Sequence, residues 1–296
     1  MHEMLYVASG LRLPVVMANV NRAISSPINI HADHGDSMAA RDAGWIQLSC
    51  VDAQDAYDTT IMAFRIAEEM LLPVMVLLDG FVISHTLQNV SLLDDSGVLG
   101  FVGRERKTDE NILDPSAPKT LGALVLPDYY YEMKMQQVEA MGRAKGIIEK
   151  TFDDFEKMSS RRYDLIESYK AEDAEYTLVC MGSVFGTAKS VVDSLRDEGK
   201  RVGILRVKSY RPFAGSELRE MLSGNVSVGV MDRAPPFGSY PPLFLDVCSY
   251  CRDMDLKSYV YGLGGRDTDK NLVREVFEDL MKNKTHEGVE FMGVRK

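Results

Sequence analysis

The sequence predicts an α/β fold made of two parallel-sheet domains, and three observations carry that prediction. Short apolar runs alternate with amphipathic segments over residues 13–78, the pattern of a parallel sheet covered by helices. The same alternation returns over residues 176–283, after an intervening stretch of different character. With 296 residues, 45% of them apolar, the chain can bury two cores of ordinary size.

Residues 1–9 read as a helix closed by Gly10. No strand precedes it, so the chain reads as entering its first domain part-way, with an amino-terminal segment missing or carried elsewhere. Strands are expected at 13–20 (LPVVMANV), 45–51 (WIQLSCV) and 73–78 (PVMVLL). Between the last two, Ala56, Thr59, Thr60, Ala63, Ile66, Ala67 and Met70 recur at helical spacing, which completes one right-handed crossover over 53–72.

From 88 to 131 the periodicity is lost, and Gly97, Gly100, Gly103, Pro115, Pro118, Gly122 and Pro127 accumulate. That composition predicts an extended arm of the kind that wraps a neighbouring subunit. A helical stripe returns over 133–169 (Val138, Met141, Ile148, Phe152, Phe155), with a break at Ser159-Ser160, and reads as a connector. The second α/β segment has strands at 176–181, 201–207, 226–231 and 257–261, with helices at 187–198, 216–222 and 271–283. The expected division is a partial first domain with its arm at 1–131, a helical connector at 132–171 and a second domain at 172–296.

A net charge of −10 and a pI near 5.1 exclude a general nucleic-acid or anionic-membrane surface, which requires clustered Lys and Arg. The beginning has no secretory pattern, and the longest apolar run, 70–78, contains Pro73 and falls far short of the ~20 residues of a membrane helix. Cys50, Cys180, Cys248 and Cys251 do not form a disulfide framework, which points to a reducing, cytoplasmic setting. Cys248-Ser-Tyr-Cys251 has redox or metal spacing, but without a second pair a packing role is favoured.

The loop after the first strand, residues 21–36, holds the richest chemistry. Ligands of parallel sheets bind beyond the carboxyl ends of strands, which is where Arg22 falls. Its planar fork suits a carboxylate, and the alternative is a plain surface arginine. His31, Asp33, His34 and Asp36 are metal-donor types. A structural role is favoured for them, with Asp36 or Ser37 capping a helix through Ala43 and His34 bonding within its loop.

Asp79-Gly80-Phe81 with Ser84-His85 reads as a turn in which Gly80 supplies a positive φ and Asp79 bonds its own loop, facing the same crevice as Arg22. Gly182-Ser183-Val184-Phe185-Gly186 is a weak match to a phosphate cradle and a better one to a tight turn. No Gly-x-Ser-x-Gly elbow, His-Glu-x-x-His helix or kinase signature is present.

Ser9-Gly10-Leu11-Arg12-Leu13-Pro14-Val15-Val16-Met17, the 21–36 loop, Ala40-Arg41-Asp42-Ala43-Gly44-Trp45 and Leu78-Asp79-Gly80-Phe81 with Ser84-His85 together resemble the alpha subunits of the pyruvate (2-oxoacid):ferredoxin oxidoreductases. The resemblance continues through Met181-Gly182-Ser183, Tyr210-Arg211-Pro212-Phe213 and Asp232-Arg233, so it covers essentially the whole chain. It departs at Phe237-Gly-Ser-Tyr-Pro-Pro-Leu, where relatives are richer in glycine.

The resemblance implies a truncated thiamine-enzyme pyrimidine-binding-type domain followed by a transketolase carboxy-terminal-like domain. It also implies thiamine-diphosphate-dependent oxidative decarboxylation of pyruvate to acetyl-CoA, with coenzyme A as co-substrate and electrons passed to ferredoxin. Arg22 falls on the arginine that receives the 2-oxoacid carboxylate, with Asp33, His34 and Asp36 in supporting positions. The family's upstream Pro-Ile-Thr-Pro segment and activating glutamate are not in this sequence.

No Gly-Asp-Gly occurs here, and four scattered cysteines cannot ligate ferredoxin-type clusters. The diphosphate with its Mg²⁺, and the [4Fe-4S] clusters, are therefore expected on beta, gamma and delta-type partner subunits, and no metal site on this chain. A branched-chain or aryl 2-oxoacid enzyme and a non-catalytic docking subunit are the alternatives, and the Asp33-His34-Gly35-Asp36 form of the loop favours pyruvate.

Overall fold

The computed structural model describes residues 2–103, 114–282 and 288–295. Helix α1 (His2–Gly10) leads into strand β1 (Val16–Asn21), and the short helix α2 (Gly35–Ala39) precedes β2 (Ile46–Ser49). Trp45 Nε1 donates to the Leu5 carbonyl and Ser9 Oγ to that of Ala43, which fastens α1 to the start of β2.

Helix α3 (Ala53–Met70) starts where the Asp52 side chain accepts the Asp55 N–H, and it ends at Leu71 in the left-handed region, two residues before Pro73. It buries Ile61, Met62, Ala63, Ile66 and Ala67 against the sheet and returns the chain to β3 (Val74–Asp79). Strand β3 lies between β1 and β2, parallel to both, in a register that sets Asn21 beside Asp79.

The expected extended arm is partly helical. Residues 95–102 form α4 (Asp95–Val102), with Gly97 and Gly100 inside it. The Asp94 carboxylate caps it, and Phe101 packs edge-on against Phe155 and beneath the Arg65 guanidinium. These contacts outweigh the ~1 kcal/mol that each helical glycine costs. Residues 104–113 of the arm lie outside the described residues.

Helix α5 (Pro127–Ser159) begins earlier than the stripe at 133 suggests, because proline suits the first turn, where its missing N–H costs nothing. It ends at Ser160, whose φ is 58°. Residues 166–169 are not helix but β4 (Ile166–Tyr169), an antiparallel edge strand on the second sheet. Four residues, IESY, are too few to show a period of two.

The second sheet follows through β5 (Tyr176–Cys180), α6 (Val184–Asp197) and β6 (Val202–Val207). Next, β7 (Ser209–Arg211) crosses over and pairs antiparallel with β2 of the first sheet. Helix α7 (Gly215–Met221), β8 (Ser227–Asp232), α8 (Pro242–Tyr250), β9 (Leu256–Val260), α9 (Lys270–Leu280) and β10 (Val289–Phe291) complete the fold. Strands β7 and β10 and helix α8 have no counterpart among the elements expected from the sequence, and Asn283, the expected end of the last helix, lies outside the described residues.

Among the described residues the first sheet has the order β1-β3-β2-β7 and the second β10-β9-β8-β5-β6-β4, parallel except for β7 and β4. The predicted α/β class with two mainly parallel sheets is what the chain adopts. One core runs from Leu48 and Val76 across Ile148 and Phe152 of α5 to Leu205 and Val230 of the second sheet. Buried ions reinforce this junction. Asp55 accepts from Arg206 and Lys208 at 2.5 Å each, and Arg206 also donates to the Ser49 carbonyl.

Candidate active site

The strands of the two sheets meet at their carboxyl ends. From the first sheet come Asn21, Ser49 and Asp79, each the last residue of its strand. From the second come Gly182 and Ser183 after β5, and Arg233 after β8. The Asp79 carboxylate accepts from His34 Nε2 at 2.7 Å, from Ser183 N at 3.0 Å and Oγ at 2.5 Å, and from an Arg233 guanidinium N–H at 2.9 Å.

Burial alone would raise the Asp79 carboxyl, but His34 and Arg233 beside it, with the His34 and Ser183 hydrogen bonds, more than offset this and hold it far below the usual carboxylate range. Asp79 is therefore ionised, and His34 Nε2 carries the hydrogen of their bond. The expectation that Asp79 bonds its own loop fails, because its side-chain partners come from the 21–36 loop and the second sheet.

Gly80 has no positive φ either. A Cβ there would stand 2.6 Å from the Asn21 carbonyl, so close approach to β1 requires the glycine, and Phe81 takes the positive φ of 65°. The 182–186 segment is the tight turn that the sequence favours. Gly182, at φ 73°, leaves room for Asp79, whose oxygens lie 2.9 Å from where its Cβ would be. The amino end of α6 thus already holds an anion, the chain's own carboxylate.

The loop that carries Arg22 is tightly specified. Asp36 accepts from Asn21 Nδ2 at 2.8 Å, from Asn19 Nδ2 at 3.4 Å, from the Arg22 N–H at 3.1 Å and from the Ser37 N–H at 2.7 Å. It therefore faces back toward β1 and does not cap α2. That helix has His34 at its N-cap, without a side-chain cap bond, and stops at Ala39, short of the expected Ala43. Asp33 accepts the Gly35 N–H at 2.8 Å, and burial raises its carboxyl although that bond and His34 act the other way. The expected bond of His34 within its own loop is replaced by the one to Asp79.

The exposed Arg22 guanidinium donates at 3.1 Å to the carbonyl of its neighbour Ala23, and no carboxylate among the described residues lies within ion-pair distance. Sequence reasoning missed the ring stack beside the Arg22 loop, where Phe81 lies 4.3 Å from His31 and 4.2 Å from His85 between ring centroids. It also missed the partnership of Arg233 with Asp79, although Asp232-Arg233 was among the residues that carry the resemblance.

Asp33, His34 and Asp36 turn to separate partners, and no group of three or more His, Cys, Asp or Glu among the described residues could hold a metal ion. The amino end of α6 is filled by Asp79. These residues do not fit the Mg²⁺–diphosphate end of thiamine diphosphate.

Residues 1–153 match the family described as pyruvate flavodoxin/ferredoxin oxidoreductase, thiamine-diphosphate-binding. Pyruvate synthase subunit PorA of Thermotoga maritima is 46% identical over the whole chain, which spans 77% of that protein. The chain belongs to the pyruvate:ferredoxin oxidoreductase family. A second match, to the pyruvate:ferredoxin oxidoreductase core domain II, covers residues 174–273. Pyruvate synthase subunit PorA of Methanothermobacter thermautotrophicus is 40% identical over 93% of the chain and 72% of its own length.

Among solved structures, a 2-oxoglutarate:ferredoxin oxidoreductase from Magnetococcus marinus superposes with a TM-score of 0.60 at 17% identity, over 94% of this chain and 50% of that one. At that identity it shows the shared fold. In pyruvate:ferredoxin oxidoreductase terms, the Asp79 network joins the amino-terminal match to core domain II.

Proposed function

We propose that this chain is the alpha subunit of a pyruvate:ferredoxin oxidoreductase, which carries out thiamine-diphosphate-dependent oxidative decarboxylation of pyruvate to acetyl-CoA and passes electrons to ferredoxin. The observation that carries the substrate assignment is Arg22, a guanidinium that has no acidic partner among the described residues, at the carboxyl end of β1 and on a backbone that Asp36 fixes. A guanidinium has five donors in a rigid fork, and the bond to Ala23 leaves most of them for a substrate carboxylate. Holding that carboxylate sets the bond to be broken in one orientation relative to the reacting carbon. Asp33, His34 and Asp36 support this by shaping the loop, not by touching substrate.

Thiamine diphosphate supplies the electron sink for decarboxylation. Because this crevice does not fit its diphosphate and Mg²⁺, beta-type partner subunits hold that end, and gamma and delta-type subunits carry the [4Fe-4S] clusters that deliver electrons to ferredoxin. Coenzyme A takes up the two-carbon unit, and the assembly works in the cytoplasm.

Two measurements test the proposal. The assembled complex should reduce ferredoxin in a reaction that requires both pyruvate and coenzyme A. The isolated chain, titrated calorimetrically with thiamine diphosphate and Mg²⁺, should show no micromolar binding, and tight Mg²⁺-dependent binding would contradict the division of labour.

A further inference from the structure

The loop after β9, Gly262-Leu263-Gly264-Gly265, belongs to the second sheet yet is built against the Arg22 loop. Gly262, Gly264 and Gly265 have φ of 62°, 61° and 76°. The last two are also where the loops come closest. A Cβ on Gly264 would lie 2.6 Å from Asn29 Nδ2, and one on Gly265 would lie 2.3 Å from His31 Cβ. Hydrogen bonds join the same residues, since Asn29 Nδ2 donates to the Gly264 carbonyl at 3.0 Å and the Gly265 N–H to the Ala32 carbonyl at 2.8 Å. The His34 N–H adds a third at 2.7 Å, to the Arg233 carbonyl.

The clamp reaches Arg22 in short steps. The Ala23 N–H donates to the His31 carbonyl at 3.0 Å, so 23 and 31 form the neck of the loop. Asn29 Oδ1 accepts the His31 N–H at 2.7 Å, which locks the amide that reaches across to Gly264. His31 then stacks its ring on Phe81. With Asp36 fixing its N–H and Ala23 pinned at the neck, Arg22 is held on both sides, and the far side of that neck is tied to the second sheet through Asn29 and Ala32.

We propose that the Gly262–Gly265 loop and Asn29 are positioning residues for the substrate carboxylate, which set the direction of the Arg22 guanidinium from the second sheet. The proposal rests on the reading of Arg22 as the carboxylate clamp. Substitutions in the loop displace a guanidinium without removing it, so they weaken pyruvate binding far from any substrate contact.

The test is steady-state kinetics on the assembled complex with Gly265→Ala and Asn29→Ala, each alone and combined with Arg22→Leu. Asn29→Ala leaves the backbone unstrained, so it remains informative if Gly265→Ala fails to assemble. The expected result is a KM for pyruvate raised about tenfold with kcat within about threefold of wild type, and no further loss when either change is added to Arg22→Leu.

A merely structural role would lower the amount of assembled enzyme and leave KM alone, or add its full effect to that of Arg22→Leu, and either result overturns the proposal. Wild-type efficiency in Arg22→Leu itself would instead remove the clamp reading, and this inference with it. An impaired Arg22→Leu alongside normal Asn29→Ala and Gly265→Ala enzymes would overturn this inference alone.

Discussion

His34 Nε2 and the Asp79 carboxylate stand 2.7 Å apart, both side chains buried, and this bond joins the Arg22 loop to the end of β3. The same carboxylate takes Ser183 and Arg233 from the second sheet, so one ionised group ties three segments together.

Asp79→Ala should therefore be costly. It leaves the Arg233 guanidinium buried without its acid, a change worth about 3–5 kcal/mol in comparable pairs. Asp79→Asn, which can still accept from Ser183, should lose less. Denaturant midpoints of the two variants check the order, and a near wild-type midpoint for Asp79→Ala would mean that the network contributes little.

Stability should vary with pH in two opposed ways. Asp79 is held below the ordinary carboxylate range when folded, so its contribution is complete above about pH 4 and is lost as pH falls through that value and below. Asp232 is the reverse. Burial pushes its carboxyl up to about 7, although the Leu243 and Phe244 N–H groups bond to it. From about pH 4 to 7 the folded chain keeps a proton there that the unfolded chain has released, so stability falls as pH rises. Asp232→Asn should flatten the unfolding free energy between about pH 5 and 7, and an unchanged slope would show that Asp232 is not its source.

The cysteines should divide by accessibility. All four are free thiols, and burial pushes Cys50 and Cys180 up to about 12. Cys251 is buried at the end of α8, while Cys248 is partly exposed. Maleimide added to the native chain at neutral pH should label Cys248 first and reach the others on unfolding. Labelling of Cys50 as fast as Cys248 would contradict the packing around β2.

Strands β1, β2, β3, β5, β6, β8 and β9 were legible because each is an apolar run bounded by turn residues, and α3 because its stripe repeats at helical spacing. Asp79 was misread for a different reason. Its partners Ser183 and Arg233 lie 104 and 154 residues away, and no local pattern encodes a contact made when two sheets close. Helix α4 was hidden by its glycines, and β7 by being three polar-flanked residues whose place is decided by an edge of the other sheet. Arg22 could be placed at a strand end from the sequence, but that it has no acidic partner among the described residues could be seen only once the fold placed their carboxylates.

The central claim is that Arg22 receives the substrate carboxylate, and steady-state kinetics of the assembled complex with Arg22→Leu and Arg22→Lys test it most directly. A charge-assisted hydrogen bond is worth ~1.5–3 kcal/mol, and more where a carboxylate is left poorly solvated, so kcat/KM for pyruvate should fall on the order of ten- to a thousandfold in Arg22→Leu. Arg22→Lys should recover part of this, since an ammonium keeps the charge but not the two-point grip. Wild-type efficiency in a correctly assembled Arg22→Leu complex would contradict the assignment.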